Sequence, residues 1–266
     1  MPLILAKCRP LELSAAVRSI DPCRVAIRYS VCRKSMAIKP LTRRPLTSRS
    51  SRWAIGGARW LTRLGVRPNQ ISIASVAFAA LAGACFCMVP RTEARLWLYV
   101  VAAACIQLRL LCNLLDGMVA IEGGLGSASG EVFNDFPDRF SDVLILASAG
   151  YSISWIAWGH ELGWTAAVLA LLTAYARVLG GSLGLRQDFS GPMAKPHRMA
   201  VLTVACLGSA AETILRGSDV LLTIALALIV IGSLITVVRR TVGIVRQLGS
   251  GEEKSHVQRS SAKSSG

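Results

Sequence analysis

The 266-residue chain is 53% hydrophobic and only 17% charged, with a mean hydropathy of +0.50, which excludes an ordinary soluble domain and indicates an integral membrane protein. A net charge of +15 and a pI of about 10.2 fit cytoplasmic loops beside anionic lipid and do not require nucleic acid as a partner. Of the 8 cysteines, several lie inside apolar runs, and Cys85 and Cys87 have no second Cys or His pair at zinc-ligand spacing. They read as small packing residues, with no disulfide framework.

Residues 1–50 are rich in Arg, Lys, Ser and Pro, with Glu12 and Asp21 the exceptions to an acid-free stretch. They contain no apolar run of signal-peptide length. We expect a basic, disordered N-terminal extension; the composition also loosely resembles an organellar transit peptide. Residues 51–69 follow. Trp53, Ile55, Trp60, Leu61, Leu64 and Val66 can share one side of a helix, with Arg52, Arg59 and Arg63 elsewhere. That pattern predicts an amphipathic helix at the membrane interface, where tryptophan is favoured. Pro68 and Asn69 break it, and Asn69 or Ser72 is positioned to cap the next helix.

The region 70–245 is expected to be an all-α integral membrane domain of six transmembrane helices. The spans fall at about 70–90, 94–121, 134–158, 162–184, 197–214 and 218–238. Pro137 is easily tolerated only in a first helical turn, which starts the third span near Asn134. The loops at 122–133 and 185–198, together with both termini, hold most of the Lys and Arg. The positive-inside rule puts them in the cytoplasm, as in a bacterial inner membrane. The polar segment 246–266 is expected to be disordered. Ala, Gly and Ser in the fourth and sixth spans suit close helix packing, a homodimer included.

One stretch stands apart. Asn113 to Asp142 holds six acidic residues (Asp116, Glu122, Glu131, Asp135, Asp138 and Asp142) between apolar segments. Carboxylates are expensive there and usually functional. Asn113, Asp116, Gly117 and Ala120 line one face of the second span; Asn134, Asp138 and Asp142 line one face of the third, with Asp135 close by. Such oxygens suit a hard cation, Mg²⁺ or Mn²⁺, and two such ions can clamp a pyrophosphate. Gly117 and Ala120 allow a nucleotide to approach closely, and Gly123, Gly124, Gly126 and Gly130 make a pliant loop over the site. A basic group follows: Arg177 in the fourth span, then Lys195, His197 and Arg198 at the start of the fifth. Positive-inside anchoring explains it as well as a phosphate pocket for an acceptor or headgroup does, with Arg139 able to join. Arg109 and Gln107 read as snorkelling or packing side chains, and His160 with Glu161 as surface.

DGMVA followed by GEVFNDFPD resembles the CDP-alcohol phosphatidyltransferase family. Its signature is D-x2-D-G-x2-A-R, about eight residues, then G-x3-D-x3-D. Asp116-Gly117, Ala120, Gly130 and Asp138 match; GVRPNQIS at 65–72 resembles the family's approach to its first span. The departures are Asn113 and Asn134 at two aspartate positions and Ile121 at the arginine. Asparagine still offers a carbonyl oxygen but no charge, which Asp135, Glu131 or Asp142 could replace. The resemblance implies attack of an alcohol acceptor on the β-phosphorus of a CDP-alcohol, usually CDP-diacylglycerol, with release of CMP. It implies Asp138 as general base and Asn113, Asp116, Asn134, Asp135 and Asp138 around two Mg²⁺ or Mn²⁺ ions. Asp116, Gly117, Ala120 and Gly130 would meet the nucleotide. Arg177, Lys195, Arg198 and Arg139 are the candidates for phosphate on the acceptor or headgroup. The other reading is a catalytically degenerate lipid-binding or transport protein on the same scaffold.

Overall fold

Apolar runs of this length leave the backbone no partner but itself, so helices are the expected outcome. The computed structural model describes residues 51–122, 130–185, 187–215 and 219–264, and the extension expected over 1–50 lies outside them. Among the described residues the elements are helices alone: α1 Arg52–Arg63, α2 Pro68–Met88, a short 3₁₀ turn Val89–Arg91, α3 Arg95–Glu122, α4 Gly130–Tyr151, α5 Gly159–Ser182, α6 Lys195–Leu215 and α7 Val220–Ser264.

Five of these, α2, α3, α5, α6 and α7, are long and apolar enough to cross a membrane. Their outward faces carry exposed Ile73, Trp97, Val204, Ile231 and Leu234, side chains that only lipid would solvate well. The protein is an integral membrane protein. α4 has 22 residues, but Glu131, Asp135, Asp138, Arg139 and Asp142 crowd its N-terminal end and make it too polar to qualify on composition.

The helices close a ring. α2 packs on α3, α3 on α6, α6 on α7, α7 on α5, α5 on α4, and α4 back on α2; α3 and α4 touch each other little. The seams are built from small residues such as Ala79, Ala82, Ala102, Ala166, Ala167 and Ala170, all buried. α4 and α5 cross at bare backbone. A Cβ on Gly163 would sit 2.8 Å from the Ala147 carbonyl oxygen and 2.8 Å from the Gly150 Cα.

Four boundaries differ from the sequence expectation. α2 starts at Pro68, and its entry is held by the Gln70 side chain accepting from the Arg67 N–H at 2.9 Å, not by Asn69 or Ser72. α4 begins at Gly130, so Pro137 lies inside the helix, where it removes one backbone bond. α4 also stops at Tyr151 instead of near Trp158. Ser152 turns back on the Ala149 carbonyl, and buried Ile153 fills the space beside Gly159. α7 runs on to Ser264 through the segment expected to be disordered. Once nucleated, a helix propagates easily through residues such as Arg246, Gln247, Glu252, Glu253 and Lys254.

α1 packs against α3 through Ala54 and Ala58, both fully buried, so the bundle-facing side is the small-residue side. Trp53 and Trp60 point away, 61% and 63% exposed.

Candidate active site

Residues 109, 113, 116 and 117 share one face of α3, and at that face three carboxylates and the Asn113 amide meet a set of cations. Arg109 is fully buried. Its Nη2 donates to Asp142 Oδ1 at 2.6 Å and lies 3.3 Å from Asp138 Oδ1 and 3.0 Å from the Asp138 carbonyl oxygen. Asp142, 1% exposed, takes a second cation from α6: Arg198 Nη2 donates to its Oδ2 at 3.2 Å. Arg198 is braced by Thr173 Oγ1 at 3.1 Å and the Met193 carbonyl at 3.0 Å. Desolvating each ion costs several kcal/mol, so a carboxylate this deep persists only with such partners.

One turn nearer the solvent, Asp138 accepts from three donors: Arg109, the Asn113 amide and the Lys195 ammonium. Asn113 accepts in turn from Ser75 Oγ at 2.9 Å. Asp116 has a different environment, taking the Ser72 hydroxyl at 2.9 Å and its neighbour's Gly117 N–H at 2.5 Å. Among the described residues no cation makes a hydrogen bond to it.

A third group lies beside these at the N-terminal end of α4 and the C-terminal end of α5. Asp135 Oδ1 accepts from Arg139 Nη2 at 2.9 Å and Arg177 Nη2 at 2.8 Å, and Arg177 stacks over Phe189 at 5.5 Å. Arg240 of α7 donates to the Thr173 carbonyl at 2.6 Å and the Ser190 carbonyl at 3.1 Å, tying α5, α7 and the 183–194 loop together. In that loop Asp188 is partly buried, which favours the neutral acid. The Ser190 hydroxyl and N–H, with Arg240 and Arg239, outweigh burial and hold its carboxyl below the usual range.

The structure therefore brings Asn113, Asp116, Asp138 and Lys195 together, and gathers Asp135, Arg139 and Arg177 as a neighbouring group. Gly117 and Ala120 lie on the α3 face beside Asp116, and the Gly130 backbone opens α4. The loop 123–129 and the side chains of Asn134 and Glu131 lie outside the described residues. Asp135, expected beside a metal, is engaged by two guanidiniums. Arg198, expected at an acceptor phosphate, is 1% exposed and committed to Asp142, because a buried carboxylate needs both arginines. Arg109 does not snorkel. Its signal was available in a charge balance: a lone Asp142 deep in α4 needs a buried cation from another helix. Ser72, Ser75 and Arg240 carry no such signal, since serines and terminal arginines are common in membrane helices.

Among the described residues no three of His, Cys, Asp and Glu converge as an unaided metal site. Asp116 keeps lone pairs for a hard cation, whereas the Asp138 oxygens already face three donors. The residues fit an ion shared with a ligand's phosphate oxygens better than a pair of protein-held ions.

No family model matches the chain. The chain is 29% identical over 197 residues to phosphatidylinositol phosphate synthase of Streptomyces avermitilis, covering 71% of this chain and 77% of that one. It is 32% identical over 145 residues to an uncharacterized protein of Aquifex aeolicus, covering 53% of this chain and 67% of that protein. Its fold is that of Mycobacterium tuberculosis phosphatidylinositol phosphate synthase. The crystal structure with CDP-DAG bound superposes with a TM-score of 0.59 at 24% identity, over 73% of this chain and 94% of that chain. The manganese and citrate complex gives 0.60 at 23% identity, over 72% and 88%. With the spaced Asp116-Gly117, Ala120, Gly130 and Asp138 motif on facing helix ends, the chain is homologous to phosphatidylinositol phosphate synthase and resembles the CDP-alcohol phosphatidyltransferases.

Proposed function

We propose that the protein transfers a phosphatidyl group from a CDP-alcohol such as CDP-diacylglycerol to a phosphorylated alcohol, releasing CMP, in phospholipid synthesis. The observation that carries this reading is the gathering of Asp116 on α3 and Asp138 on α4, the latter bridged to α3 by Asn113, beside a cationic rim. Similarity to a phosphatidylinositol phosphate synthase supports it. α4 is read as the sixth span, which the closed ring supports: its two neighbours, α2 and α5, both qualify as spans. α1 is read as an interfacial helix, supported by its outward Trp53 and Trp60. The basic loops favour a cytoplasmic site and cytoplasmic termini, in a bacterial inner membrane.

In this mechanism the acceptor hydroxyl lies against Asp138, which takes its proton as general base. The acceptor oxygen bonds to the β-phosphorus. The bond from that phosphorus to the bridging oxygen breaks, and CMP departs with the electron pair. Gly117 and Ala120 leave room for the nucleotide against α3, with Gly130 opposite. Mg²⁺ or Mn²⁺, which Asp116 would hold, would neutralise pyrophosphate charge, the Asn113 amide being engaged by Asp138 and Ser75. Arg177, Lys195 and Arg139 are suited to a phosphate on the acceptor, with Arg198 braced behind them.

The test is CMP release by purified protein in nanodiscs, given CDP-diacylglycerol, Mn²⁺ or Mg²⁺, and inositol 1-phosphate or glycerol 3-phosphate. Release that depends on both lipid nucleotide and acceptor is expected. No release with any acceptor and either ion sinks the proposal.

A further inference from the structure

We propose that the Lys195 ammonium is a resident cation on Asp138 that holds the place of one divalent ion, so that this site takes one metal ion and not two. The inference deepens the function proposed above and rests on it. It begins with Asn113. A carboxylate only accepts hydrogen bonds, so the side of Asn113 that meets Asp138 must be its NH₂ group. The Asn113 oxygen is turned away and used by the Ser75 hydroxyl at 2.9 Å. An aspartate at 113 would set two carboxylates against each other, a pair that needs a cation between them. With asparagine the amide bridges directly, and that need disappears.

Lys195 supplies the second argument. It is the first residue of α6, where the helix dipole disfavours a positive charge. Its position is explained by Asp138, which its Nζ reaches, and by nothing else in the helix. The approach is built, not incidental. Gly191 has φ +134° and packs so closely on Thr236 that a Cβ would lie 2.5 Å from the Thr236 methyl. The Met193 N–H donates to Thr236 Oγ1 at 3.2 Å, and the Met193 carbonyl accepts from Arg198 at 3.0 Å. The turn leading into Lys195 is thereby pinned to α7 and α6. Asp116, bound among the described residues by Ser72 and a backbone N–H, remains as the carboxylate for the one ion.

Mn²⁺ binding to the full chain in nanodiscs with CDP-diacylglycerol tests this. Free Mn²⁺ is read by electron paramagnetic resonance, with the same nanodiscs lacking protein subtracted. One ion per chain is expected. Two ions per wild-type chain overturn the inference while leaving the proposed reaction standing. No bound ion overturns the inference, and the reaction is then judged by CMP release alone. In the triple variant Asn113→Asp, Asn134→Asp, Lys195→Met we expect two ions per chain; a monodisperse variant that still binds one overturns the inference. The wild-type count needs no variant, so the proposal stays testable if the triple variant does not fold.

Discussion

The two ends of the helical ring each bury an aspartate, and they do so differently. At one end Asp219 accepts from Arg95 Nη2 at 2.5 Å and Tyr99 Oη at 2.7 Å, and its carbonyl takes the Thr223 hydroxyl at 2.9 Å. One acid is matched there by a few donors that join the start of α7 to the start of α3. At the other end Asp138 and Asp142 share Arg109, Arg198 and Lys195, with Arg139, Arg177 and Asp135 beside them. Among the described residues, Arg109 Nε and Nη1 and Arg198 Nε are buried without a hydrogen-bond partner. A clasp needs only balanced charges. The crowded end carries donors in excess of its own acceptors, which is what a site for phosphates requires.

That contrast can be broken by mutation. The largest effect is expected at the crowded end. Asp138→Ala or Asp116→Ala should lower CMP release by about 10³-fold or more, the scale of losing a general base or the carboxylate that holds the metal ion. Retention of more than a tenth of wild-type turnover by Asp138→Ala would remove it from the reaction. Asp142→Ala strands two buried guanidiniums and should cost about 3–5 kcal/mol of stability, visible as a large fall in detergent melting temperature. Gly163→Val drives a branched side chain into the Gly150 backbone, with a cost of about 1–3 kcal/mol and a lower melting temperature. The smallest effect belongs to the simple clasp. Tyr99→Phe removes one hydrogen bond to Asp219 and should cost about 1–2 kcal/mol, with CMP release per folded molecule unchanged. A turnover defect in Tyr99→Phe would show that the two ends are not functionally separate.

Five of the six expected spans were legible because apolar runs bounded by Pro68, Pro90 and basic loops admit little else. The Asn113–Asp142 stretch was legible because its carboxylates interrupt such runs. What escaped is long-range. Arg109 meets Asp142 and Arg198 only once α3, α4 and α6 are assembled, and no local pattern encodes that meeting. Pro137 misled for the opposite reason: a local preference for the first turn gave way to the packing of α4 between α2 and α5. Ser72, taken for a cap, instead addresses Asp116 from a neighbouring helix.

The ring order also bears on how the protein is made. α3 and α4 leave the ribosome early and in succession, yet they pack mainly on other helices. Asp138 and Asp142 acquire Lys195 and Arg198 only when α6 follows. A nascent chain halted before residue 195 therefore holds two carboxylates near lipid with Arg109 as their shared cation among the described residues. Charge neutralisation of the site is deferred to the second half of synthesis. Completion of α6 is therefore the step that supplies Asp138 and Asp142 with their remaining cations.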